Sequence, residues 1–185
     1  MLVQAYSYWT ISDIFEENYF PSLPFHGGFG LLNLYGIAKP AYRGFELLHA
    51  LGSEMVPVEG SHATVDAWVI RGVASATVLL TNFALPRHPI ATEMIRISLA
   101  GARRPAEASI RRIDADHANA KRCWQEMGCP GYLSKADVAE LDAASQCKPE
   151  PLPFDFRDGT LCIDVSLPAL AVAAITFRFA AQASG

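Results

Sequence analysis

The chain opens with a strand-like run, a long loop and a helix, and nothing after them repeats that pattern. Gln4 to Thr10 (QAYSYWT) is rich in aromatics, as short strands are. A loop runs to about Ala38, and Pro40 stands where a first helical residue would. AYRGFELLHAL follows, with Tyr42, Phe45, Leu48 and Leu51 at three-residue spacing. Ala41 and Leu47 widen that stripe, and Gly52 is placed for a left-handed C-terminal cap. A lone strand and helix cannot bury themselves. A parallel strand needs neighbours on both edges, and its helix covers only one face of a sheet. Residues 1–52 therefore read as the last βα unit of a barrel or open α/β sheet whose other members precede Met1. On that reading the chain is the C-terminal piece of a larger protein. The rival reading makes Gln4 to Thr10 an edge strand of the later β structure.

After Gly52 the pattern becomes one of short β-type runs. They are Val56 to Val58, Thr64 to Arg71, Thr77 to Phe83, Ile90 to Leu99 and Ala108 to Ile113, resuming at Leu161 to Leu167 and Ala171 to Phe179. Strands at this spacing predict an antiparallel sandwich over 53–185. A helical insert at about 116–145 interrupts it. HANAKRCWQEMG is stopped by Gly128 and Pro130, and Ser134 opens SKADVAELDAAS with Asp137 completing a capping-box variant. The expected class is an α+β fragment: a terminal strand, loop and helix, then a β-sandwich with a short helical insert.

Composition narrows the chemistry. Of 185 residues 51% are hydrophobic and 18% charged, with a net charge of -4, which is ordinary for a soluble globular chain. Mild acidity gives no reason to expect nucleic acid or an anionic membrane as partner. No apolar run reaches the roughly 18 residues of a membrane span. MLVQAYSYWT lacks the layout of a signal peptide. Localisation is left open, with the cytoplasm the nearer reading. Cys123, Cys129, Cys147 and Cys162 have no CxxC spacing and no histidine in ligand register, so they read as thiols and not as a metal site. No cofactor is expected.

SYWTISDIFEE, followed by PFHGGFGLLNLYGIAKPAYRGFELLHALG, resembles the closing segment of glycoside hydrolase family 39, on its β-xylosidase side. WQEMGCPGYLSKADVAELDAAS is similar to that family's helical segment inside the sandwich region. The likeness covers most of the chain and is densest over Ser7 to Gly52. It implies a (β/α)₈ barrel whose eighth strand ends at Trp9, an accessory β-sandwich, and retaining hydrolysis of β-linked xylose from xylo-oligosaccharides. Retention uses two carboxyl groups roughly 5 Å apart. In the family these follow the fourth and seventh barrel strands, and their usual contexts, an Asn-Glu pair and a Thr-Glu-Phe-like strand end, are absent from this sequence. The chain is thus expected to carry no catalytic residue and to be inactive by itself. Its partners would be a xyloside substrate and the missing N-terminal barrel portion. The α-iduronidase branch of the family fits the intact HGGFGLL and KPAY segments less well.

Candidate substrate-binding residues are Trp9, Glu17, Glu16 and His26. Trp9 either stacks on the apolar face of a sugar, as the resemblance implies, or closes the barrel as a core aromatic. The related barrels also imply a cis Trp9–Thr10 bond. Glu16 and Glu17 are adjacent, so in an extended loop their side chains diverge and cannot serve as a catalytic pair. The resemblance makes Glu17 the acceptor of sugar hydroxyls; without it both read as solvated loop charges. His26, beside Gly27 and Gly28, either touches the sugar or fixes its turn. Asp13 and Ser12 read as a local turn that directs the loop. His49, His62, His88 and His117 are isolated and read as surface or packing residues. A reading from another class is a non-catalytic carbohydrate-binding or subunit-docking protein derived from such an enzyme.

Overall fold

The computed structural model describes residues 6–13 and 22–180. It is an α+β structure with three helices and nine strands among those residues. Helix α1 (Pro40–His49) is followed by strands β1 (Glu54–Val56), β2 (Val65–Arg71), β3 (Ser75–Asn82), β4 (Glu93–Leu99) and β5 (Glu107–Ile113). Helices α2 (Ala120–Glu126) and α3 (Lys135–Ser145) come next. The chain then returns to strands β6 (Glu150–Pro151), β7 (Asp155–Arg157), β8 (Thr160–Leu167) and β9 (Val172–Arg178).

The strands form two antiparallel sheets, ordered β1-β2-β3-β9-β5-β6 and β4-β8-β7. Alternation decides what each sheet buries. In β8, Leu161, Ile163, Val165 and Leu167 are at most 3% exposed, while Asp164 and Ser166 face out. They share one hydrophobic cluster with Val78 and Leu80 of β3 and with Ala173, Ile175 and Phe177 of β9. The register places Val78 opposite Ile175 and Leu80 opposite Ala173, so the central pair of strands presents a continuous apolar face.

The chain divides into two compact units. One joins the described residues up to Phe45 with Ala115–Gln146; the other joins Glu46–Asp114 with the described residues from Cys147 onward and contains both sheets. The first unit has its own core of Phe25, Ile37, Ala120, Trp124 and Leu141. The rings of Phe25 and Trp124 lie 5.6 Å apart, and the Trp124 indole donates to the Pro130 carbonyl at 2.9 Å.

Local signals account for both helices of the insert. Ser134 and Asp137 form the expected capping box: the Ser134 hydroxyl accepts from Asp137 N–H, and the Asp137 carboxylate accepts from Ser134 N–H. Past the end of helix α2 stands Gly128, whose φ is 84°. Gly128 N–H donates to Gln125 O and Cys129 N–H to Trp124 O, the paired bonds that satisfy the last free carbonyls.

Several expectations need correction. Tyr6–Thr10 form no strand, since a strand exists only as a pairing and no described strand pairs with them; Gln4 and Ala5 lie outside the described residues. Helix α1 buries Arg43 and Leu47, whereas Leu48 of the expected stripe is 52% exposed. Arg43 lies inside because its guanidinium donates to the backbone oxygen and hydroxyl of Ser145, the last residue of α3. A cation there meets a carbonyl that the helix itself leaves unpartnered. Gly52 is not a left-handed cap. A Cβ on it would stand 2.4 Å from the Arg71 carbonyl oxygen, so it is close backbone approach that excludes a side chain. Strands β6 and β7 are too short to show in a sequence pattern.

Candidate functional site

The stretch from Tyr8 to Asp13 is sewn to the glycine-rich segment that ends at Leu32. Leu31 N–H donates to Thr10 O at 3.1 Å, Leu32 N–H to Ile11 O at 2.9 Å, and Asp13 N–H to Leu32 O at 3.0 Å. Ser12 and Leu32 form a parallel bridge. The Tyr8 hydroxyl donates to Phe29 O at 3.0 Å. Trp9 sits within this seam with 69% of its surface exposed, and the Trp9–Thr10 bond is cis, as the resemblance implies.

Asp13 anchors the seam. Its side chain is 1% exposed, a costly position for a carboxylate without partners. One oxygen accepts the Gly30 N–H at 2.8 Å, and Lys39 Nζ donates to both oxygens at 2.9 and 2.8 Å. The same ammonium donates to Gly28 O at 2.7 Å. Gly30 approaches so closely that a Cβ would stand 2.5 Å from Asp13 N and 2.6 Å from Asp13 Oδ1. Asp13 is therefore not a local turn former. Its partners lie far along the chain, at Gly30 and Lys39.

His26 lies beside this pair. Its ring is 4% exposed, its Nδ1 accepts the Gly28 N–H at 3.0 Å, and its Nε2 is 3.9 Å from Asp13 Oδ2. That geometry fixes the turn through Gly27, whose φ is 92°. Tyr6 and Tyr8 flank α1 through their rings, 5.9 and 5.6 Å from the Phe45 centroid. Glu16 and Glu17 lie outside the described residues, so Trp9 and His26 are the two expected site residues with described positions.

Sequence reasoning passed over Lys39 as a partner of Asp13. The signal was a single cation inside the otherwise apolar YGIAKPAY, just before the helix. Among the described residues no group of three or more His, Cys, Asp or Glu side chains is arranged to hold a metal ion, and no helix is long and apolar enough to cross a membrane. The Cys123 thiol is pushed above its ordinary pKa by burial first and by the nearby Glu140 and Glu126 carboxylates second, which disfavours its nucleophilic form. A concavity lies on the β4-β8-β7 sheet, where Arg96 and Asp164 are paired with each other.

Comparison with known proteins places these features among relatives. The family model described as glycosyl hydrolases family 39 matches residues 1–160. A "Beta-xylosidase" from Caldicellulosiruptor saccharolyticus is 40% identical over 94% of this chain, and one from Geobacillus stearothermophilus is 31% identical over 77%. The chain spans 36% and 27% of their lengths, about a third of the curated relatives it matches. A crystal structure of a monomeric beta-xylosidase from Caulobacter crescentus CB15 superposes with a TM-score of 0.74 at 26% identity. It covers 97% of this chain, which in turn covers 38% of that protein. The GH39 enzyme from Xanthomonas axonopodis pv. citri gives 0.75 at 26% identity, with the same coverage.

Proposed function

This chain belongs to glycosyl hydrolase family 39, and from that membership we propose that it is the C-terminal part of a retaining β-xylosidase. The observation that carries the reading is 40% identity running through 94% of this chain yet only 36% of the Caldicellulosiruptor saccharolyticus β-xylosidase. In this proposal residues 1–52 are the closing segment of a (β/α)₈ barrel, Tyr6–Thr10 becoming a strand only when paired with barrel strands that this chain does not contain, and 53–185 are its accessory β-sandwich, with the insert at about 116–145. The substrate class is β-linked xylose at the end of xylo-oligosaccharides.

The chemistry divides between this chain and the portion of the barrel that it does not contain. Two carboxyl groups about 5 Å apart, nucleophile and acid–base, come from that other portion. Trp9 supplies an apolar plane for one face of the sugar ring, and its exposure suits that task. Glu17, in preference to its neighbour Glu16, accepts hydrogen bonds from sugar hydroxyls. His26 shapes the wall of the subsite by holding the Gly28 amide. None of these residues performs the bond-breaking step.

The purified chain, assayed with an aryl β-xyloside, is expected to give no turnover. Acid–base assistance alone contributes about 10²- to 10⁴-fold, and here the nucleophile is lacking too. Mixing it with the N-terminal portion of the Caldicellulosiruptor saccharolyticus relative that it does not cover is expected to restore hydrolysis with retention of configuration. Turnover by the chain alone, or a reconstituted enzyme active on other glycosides and not on xylosides, would overturn the proposal.

A further inference from the structure

Asp13, whose side chain is 1% exposed, and Lys39, at 16%, form a largely buried charged pair whose purpose is not explained by stability. Desolvating two charges offsets most of their attraction, and an apolar pair of similar volume often serves the folded state as well. What such a pair does supply is direction, and here one ammonium ties three pieces of backbone together. Lys39 Nζ reaches the Asp13 carboxylate and Gly28 O. Its own N–H donates to Leu31 O, while its carbonyl accepts Tyr42 N–H at the start of α1. The carboxylate in turn grips Gly30. Trp9 is held from both sides by this assembly: Tyr8 donates to Phe29 O and Thr10 accepts from Leu31 N–H.

We infer that Asp13 and Lys39 are positioning residues for Trp9, a charged clasp that sets the bearing of the exposed indole. The importance of that bearing for sugar binding rests on the reading of this region as a xylose subsite. The pair touches no reacting atom. Its effect travels through Gly28, Gly30 and Leu31 to the Tyr8 hydroxyl on one side of Trp9 and the Thr10 carbonyl on the other. Arginine in place of Lys39 keeps the charge but not the compact three-way contact, because its donors lie in a planar fork.

The test labels the full chain with 5-fluorotryptophan, which gives one ¹⁹F line each for Trp9, Trp68 and Trp124, and assigns the first with a W9F variant. In K39M and D13N the Trp9 line is expected to shift or to broaden about twofold as the indole samples several orientations. The Trp124 line, reporting the core of the same unit, and the Trp68 line, reporting the sheets, should hold. K39R should fall between wild type and K39M. An unchanged Trp9 line in both variants would overturn the inference. So would loss of the Trp124 line together with that of Trp9 in both, since the pair would then support a whole core and not the direction of one side chain. The xyloside assay can fail while this result stands, and the reverse, so the two readings are separable.

Discussion

At Asn33 a single amide closes the loop that leads into α1. Its Oδ1 accepts the N–H groups of Tyr35 and Ile37, each at 2.9 Å, while the backbone of Asn33 exchanges bonds with Gly36 and Ile37. Ile37 is 1% exposed, so its donor has no water to turn to. N33A is therefore expected to destabilise the first unit by about 1–3 kcal/mol. Faster hydrogen exchange at the Tyr35 and Ile37 amides, with unchanged protection in β3 and β9, is the measurement that checks it. Asp13, Lys39 and Arg43 were the residues least legible in the sequence, for one reason. A polar residue in a loop or on a helix reads as solvated unless its partner is seen, and these partners lie beyond any local window. Arg43 bonds to Ser145, more than a hundred positions away by sequence number.

Elements were more legible where their signals are local. The capping box of α3 and the glycine stop of α2 are written in adjacent residues, and both formed as expected. The longer strands carry period-two alternation and were found with their ends displaced by a few residues. On the expected stripe of α1 Leu47 is buried but Leu48 is not, and Arg43 takes a buried place that apolar spacing does not mark. Between strands, register creates charge pairs that no single strand predicts. Arg96 stands opposite Asp164 in β4 and β8, with bonds of 2.7 and 2.8 Å. The hydrogen bond from Arg96 holds the Asp164 carboxyl below its ordinary pKa, and the charge of that guanidinium adds to the effect. Because the folded value is depressed, the pair's stabilisation is present at neutral pH. It is lost as pH falls below the ordinary carboxylate range through the folded value. The groups are exposed, so the effect on stability is small. Carbon-detected NMR should nevertheless show the Asp164 titration midpoint rising toward the ordinary value in R96Q.

For the whole molecule, the α+β class and the family were legible from the sequence, and the grouping of 115–146 with the N-terminal residues was not. That grouping rests on Phe25 and Ile37 meeting Trp124 and Leu141, again contacts between distant positions. Tyr6, Trp9 and Ile11 are 72%, 69% and 60% exposed. Neighbouring apolar side chains left this open favour association in water. Light scattering of the purified chain should show growth in mass with concentration, reduced in a Y6S/I11S variant. A discrete oligomer of fixed stoichiometry would instead favour the docking reading over the part-of-an-enzyme reading.

The discontinuous core has a consequence for synthesis. Phe25 and Ile37 leave the ribosome well before Trp124 and Leu141 exist to cover them, and all of β1 to β5 is translated in between. The opening segment must wait, uncovered, while the intervening sheet strands emerge, which makes the nascent chain a natural client for chaperones during that interval.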